Sequence, residues 1–86
     1  MIIQQFVLTS NHCKLPVPVN AKILCAKKVG KDIQIFVELD ETKPVVERKL
    51  IAIPSGATFP VLLAVLSYID TVQMGDIFWH IYEVKE

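Results

Sequence analysis

The segment "AKILCAKKVGKDIQIFVEL" (21–39) constrains this chain most. Two runs rich in Ile, Val, Leu and Ala flank Gly30-Lys31. Glycine in first place suits a two-residue type II′ hairpin turn. That turn sets Val29 opposite Asp32, Ala26 opposite Ile35, and Leu24 opposite Val37. Alternation then gathers Leu24, Ala26, Ile33, Ile35 and Val37 on one face. The other face receives Ile23, Cys25, Lys27, Gln34, Phe36 and Glu38. One apolar and one mixed face are what a half-buried antiparallel sheet requires.

The rest of the chain reads as strands between turn signals. "IIQQFVLT" (2–9) is a first strand, with Phe6 and Leu8 on one face. "SNHCKLPVPVN" (10–20) holds two prolines, so it is a loop or an irregular edge, because proline donates nothing to a ladder. "DETKP" (40–44) is a turn and "VVERKLIAI" (45–53) a strand. "PSGATFP" (54–60) is a loop. "VLLAVL" (61–66) is wholly apolar, and Pro60 is acceptable in a first helical turn; the run is too short for periodicity to separate helix from strand. "SYIDTV" and "IFWHIYEV" form a last hairpin, with Met74-Gly75 as its turn. The expected class is mainly β. About five or six antiparallel strands lie in hairpins, with at most one short helix near 59–66.

The last hairpin carries the aromatic residues. On the expected register His80 shares a face with Phe78, Tyr82, Ile69 and Thr71. Trp79 points the other way, with Ile77, Ile81 and Tyr68. Both faces are apolar, and a sheet apolar on both sides is covered on both sides.

At 86 residues the chain is a single domain over 1–86. Yet 52% of its residues are hydrophobic and the mean hydropathy is +0.44. That is more apolar material than a small monomer needs, and a subunit interface in a homo-oligomer is the expected outlet. Nine basic and nine acidic residues give zero net charge. Arg48 is the lone arginine, so the basic face of a nucleic-acid binder is missing. Lys27, Lys28 and Lys31, and Glu38, Asp40 and Glu41, read as solvated hairpin ends. No run reaches the roughly 18 apolar residues of a membrane span. The N-terminal segment lacks the basic start and apolar length of a signal peptide. A cytoplasmic protein with reduced thiols at Cys13 and Cys25 is expected.

Chemistry is sparse. His12, Cys13, Cys25 and His80 lack the paired spacing of a zinc site, so no metal is expected. Cys25 or Ser67 could be set with His80 and Asp70, but no nucleophile elbow or glycine-rich oxyanion loop accompanies them. A non-enzymatic protein without a cofactor is expected. "PSGAT" holds one glycine, a weak phosphate signal, even with Lys49 nearby. The aromatic cluster Tyr68, Phe78, Trp79 and Tyr82, with His80 and Lys49, is the candidate ligand or partner surface, since Tyr and Trp are common anchors.

The order of motifs resembles a family of small uncharacterised proteins encoded by phages and prophages. Its members typically carry a segment ending in "AKIL", here Ala21-Lys22-Ile23-Leu24. They close on a Tyr/Phe-Ile-Gly-Thr-x-Gln strand, here Tyr68-Ile69-Asp70-Thr71-Val72-Gln73. The final strand ends Phe-His-Val-Phe-Glu, here Trp79-His80-Ile81-Tyr82-Glu83. The resemblance covers nearly the whole chain. Asp70 replaces the usual glycine, and 57–66 is more apolar than the usual polar loop, which points to an added interface. The resemblance implies a β-rich phage accessory protein in the host cytoplasm. Its expected partner is a host defence protein or a small nucleotide signal; a structural or assembly module is the alternative, and a small enzyme a third.

Overall fold

The computed structural model describes residues 1–58 and 65–85. Its strands are β1 (Ile2–Val7), β2 (His12–Pro18), β3 (Lys22–Val29), β4 (Asp32–Leu39), β5 (Val45–Pro54), β6 (Leu66–Met74) and β7 (Ile77–Val84). All pairings are antiparallel. They form a three-stranded sheet, β1-β4-β3, and a four-stranded sheet, β2-β5-β7-β6. The molecule measures 16 Å in its thinnest direction, as befits two sheets stacked about 10 Å apart.

The core lies between the sheets. Ala26, Ile35 and Val37 from the first meet Leu15, Val17, Leu50, Ala52, Val72 and Ile81 from the second. These positions alternate along each strand, so period-2 patterning supplies the inward faces. No helix among the described residues is long and apolar enough to cross a membrane. The helix expected near 59–66 falls mostly on 59–64, outside the described residues, and Leu66 already belongs to β6.

The seven strands among the described residues exceed the five or six expected, and β2 is the addition. It is the edge of the larger sheet, so its prolines need only avoid the β5 side. Val19 N–H donates to Pro44 O and Ala52 N–H to Asn11 O. With the His12–Ile51 to Pro18–Val45 register, these bonds place the ladder bonds on odd residues of β2. Pro16 and Pro18 fall on the alternate positions, whose nitrogens face away from β5. The strand then buries Leu15 and Val17.

The β3–β4 hairpin turns at Gly30-Lys31 and pairs Val29 with Asp32 and Ala26 with Ile35, as alternation requires. Gly30 has φ +61°, and Lys31 is not among the residues of positive φ, the pattern of a type II′ turn. The expected Leu24–Val37 pair does not form. A bulge at Leu24 sets Ile23 opposite Val37 instead. Ile23 therefore packs on the core and Leu24 turns outward. One extra residue reverses the facing of everything beyond it.

The last hairpin turns one residue later than expected, at Gly75-Asp76, and Met74 pairs with Ile77. Gly75 has φ +63° and takes the first turn position, as Gly30 does. A bulge at Ile69 then reverses the facing of Tyr68, which pairs with Tyr82.

Asp70 and Arg48 make polar links between the sheets. Asp70 Oδ2 on β6 accepts from the Ala26 N–H on β3 at 3.1 Å, so a carboxylate bridges the two facing edge strands. Lys27 Nζ lies 4.0 Å from the same oxygen. Arg48 on β5 holds Glu83 on β7 and also donates through Nη1 to the carbonyl of Ala21, just before β3.

Candidate functional site

The outward face of the larger sheet collects most of the singled-out residues. Ile53, His80 and Thr71 stand side by side on β5, β7 and β6. One step along, Ile51, Tyr82 and Tyr68 do the same. Phe78 and Lys49 extend the face at its two ends. Tyr68 is 58% exposed and Phe78 46%. Tyr68 and Tyr82 meet edge-on, with ring centroids 5.6 Å apart.

His80 is the hub of a hydrogen-bonded chain. Its Nε2 lies 2.6 Å from Ser55 Oγ and its Nδ1 3.0 Å from Thr71 Oγ1. Thr71 Oγ1 is in turn 2.7 Å from the Tyr68 hydroxyl. Ser55 reaches His80 because a turn follows β5: Ala57 N–H donates to Pro54 O, and Gly56 has φ +88°. That combination is a type II turn with glycine at its third position. Ser55 N–H is held by Phe78 O at 3.0 Å. The chain of four side chains locks the imidazole from both sides.

Trp79 does not join this face. It opposes Val72 on β6, packs against the core and lines a cleft of about 250 Å³ with Leu8, Lys31, Ile33 and Met74. Alternation along "DIFWHIYEV" sorts Phe78, His80 and Tyr82 from Trp79 and Ile81 correctly. Tyr68, expected beside Trp79, lies beside Tyr82 because of the bulge at Ile69.

The catalytic set considered from sequence is not assembled. Asp70 is inward and binds the Ala26 amide, and Ser67 pairs with Glu83 near the sheet end. Ser55 is the hydroxyl at His80, a residue that the sequence offered only within a loop carrying a weak phosphate signal. The partner of Nδ1 is the Thr71 hydroxyl, not the carboxylate of a Ser–His–Asp arrangement. Lys49 and "PSGAT" are also separate. Lys49 opposes Val84 and Pro54 opposes Trp79, at opposite ends of the β5–β7 pair. Gly56 serves the turn rather than a phosphate cradle.

His12, Cys13 and Cys25 do not converge with His80. His12 and Cys13 lie on β2, and Cys25 lies on β3 in the other sheet. Among the described residues no group of three or more His, Cys, Asp or Glu is placed to hold a metal.

Two hollows lie on the larger sheet among the described residues. One of about 180 Å³ is lined by His12, Lys14, Lys49, Ile51 and Val84. Another of about 420 Å³ surrounds Glu47, Arg48, Ser67, Glu83 and Lys85. In the second, Arg48 is already taken by Glu83.

No curated protein and no solved structure matches this chain. A family model described as a domain of unknown function, DUF7352, matches residues 1–86. The chain therefore belongs to the DUF7352 family.

Proposed function

We propose that this protein is a non-enzymatic phage accessory protein that acts in the host cytoplasm by covering a host defence protein. The binding element is the outward face of β2-β5-β7-β6. The observation that carries this reading is the row Tyr68, Tyr82, Phe78 and His80, in which hydrogen bonds order Tyr68 and His80, Tyr82 meets Tyr68 edge-on, and Tyr68 and Phe78 are open to solvent. Rigid aromatic side chains with a polar tip are the usual anchors of protein interfaces. The resemblance of the strand motifs to phage and prophage proteins supports the viral setting.

Sequestration of a nucleotide is less favoured by the shape of this face. Small-ligand sites are clefts of roughly 300–1,000 Å³ with convergent polar groups. The apolar hollow of about 180 Å³ is below that range. In the hollow of about 420 Å³ Arg48 is already paired with Glu83, and Glu47 shares the lining with Lys49 and Lys85, a mixed rather than a cationic set. A broad aromatic surface suits a protein partner.

The test is affinity capture from infected-cell lysate with the wild-type chain and with a Y68A/F78A variant. Mass spectrometry should identify one host protein retained by the first and lost by the second. A nucleotide released on denaturation would replace the protein partner with a small-molecule one. Neither a retained protein nor a released nucleotide, with infection unaffected, would overturn the proposal.

A further inference from the structure

Two sheets have four edges, and three of them are guarded. β3 and β6 are tied to each other through Asp70 and the Ala26 amide, and each carries a bulge. β2 turns Pro16 and Pro18 along its open side. Proline, bulges and covered backbone are the devices by which sheets avoid edge pairing. Among the described residues β1 has none of them. Its sequence IIQQFV holds no charge, proline or glycine, and its six pairs with β4 run without a shift.

The open backbone groups of β1 can be placed by parity. Leu8 N–H donates to Ile33 O, and the register runs from Ile2–Leu39 to Val7–Gln34. Even residues therefore bond to β4. The N–H and C=O groups of Ile3, Gln5 and Val7 point away from it. Among the described residues no strand pairs with that side.

We infer that this edge pairs with the β1 edge of a second copy, antiparallel, about a two-fold axis at Gln5. In that register Gln5 meets Gln5 of the other copy, and Ile3 meets Val7 on both sides of the axis. Every open donor and acceptor of the three residues is then satisfied. Same-face pairing requires an even sum of residue numbers, which this register meets. The exposed side chains agree with it. Ile3 is 62% and Val7 43% exposed on the outward face, and each covers the other. No like charges meet, because the strand carries none. The result is a continuous six-stranded sheet, β3-β4-β1-β1-β4-β3. A foreign peptide would gain the same backbone bonds but has no reason to offer Val opposite Ile3 and Ile opposite Val7. The interface is small beside the roughly 1,600 Å² of a standard complex, so the dimer should dissociate on dilution in the micromolar range. This assembly is independent of the aromatic face on the other sheet.

Sedimentation of the wild-type chain over a range of concentrations tests this, together with amide exchange at each. The expected result is a monomer–dimer equilibrium in which the Ile3, Gln5 and Val7 amides gain protection with concentration. The Gln4 and Phe6 amides should be protected throughout. I3K places an ammonium beside Glu38, its partner on β4, so the monomer keeps its fold while dimerisation weakens at least tenfold. Adding V7E restores the dimer, because positions 3 and 7 of the two copies are opposed. A wild-type monomer at all concentrations would overturn the inference. So would a dimer without concentration-dependent protection at the odd residues, or one that I3K leaves intact.

Discussion

Arg48 on β5 and Glu83 on β7 form a two-pronged ion pair, with Nε and Nη2 each 2.6 Å from a carboxylate oxygen. Both side chains are mostly buried, at 24% and 20% exposure. The remaining guanidinium nitrogen holds the Ala21 carbonyl. The lone arginine thus spends its donors on structure, joining neighbouring strands and the opposite sheet. A planar fork suits that task in a way a lysine does not.

Replacing Arg48 with Ala should therefore cost roughly 2–4 kcal/mol, since it leaves Glu83 part-buried without its cation. R48K should recover only part of this loss. Urea unfolding monitored by circular dichroism measures both. Equal stability of all three chains would refute the role.

Asp70 and Ala26 predict a local effect. D70A removes the acceptor of the Ala26 N–H, leaving a part-buried donor unmatched at a cost of about 1–3 kcal/mol. D70N retains a carbonyl oxygen and should lose less. Amide exchange should show Ala26 deprotected in D70A, ahead of its β4 neighbours. Unchanged protection at Ala26 would mean that the bridge contributes nothing.

Adjacent residues on β7 should behave in opposite ways. W79A removes a side chain packed on the core and should destabilise by roughly 3 kcal/mol. H80A removes hydrogen bonds on the outward face and should cost about 1 kcal/mol or less. Partner capture should fall with H80A while its melting temperature stays near that of the wild type. A reversed order of stabilities would mean that the faces are misassigned.

The turn after β4 supplies a pH signature. The Thr42 hydroxyl and amide both donate to Asp40 Oδ1, which lowers the Asp40 carboxyl below its ordinary 3.8. A lowered folded value favours the folded state above the unfolded one, and the benefit is lost as pH falls through the folded value. Carbon-detected NMR titration of Asp40 should give a midpoint under 3.8, and T42V should raise it. A midpoint at or above the ordinary value would contradict the hydrogen bonds.

Much of the framework is legible in the chain itself. Gly30-Lys31 marks a hairpin because glycine alone takes the first turn position without cost. Alternation through 77–82 separates Phe78, His80 and Tyr82 from Trp79 and Ile81, since side chains in a strand must point to opposite faces. The β class follows from the same short, alternating runs.

Tertiary structure decided the rest. The bulges at Leu24 and Ile69 leave no compositional mark, because each is one ordinary residue accommodated by the partner strand. Yet they choose between Ile23 and Leu24 for the core, and they bring Tyr68 beside Tyr82. β2 becomes a strand because β5 offers it an edge whose bonds skip Pro16 and Pro18. Ser55 meets His80 because the turn after β5 folds back against β7. Local sequence determined which way neighbouring side chains diverge. Long-range pairing determined which of them meet, because register is set by contacts between residues far apart in the chain.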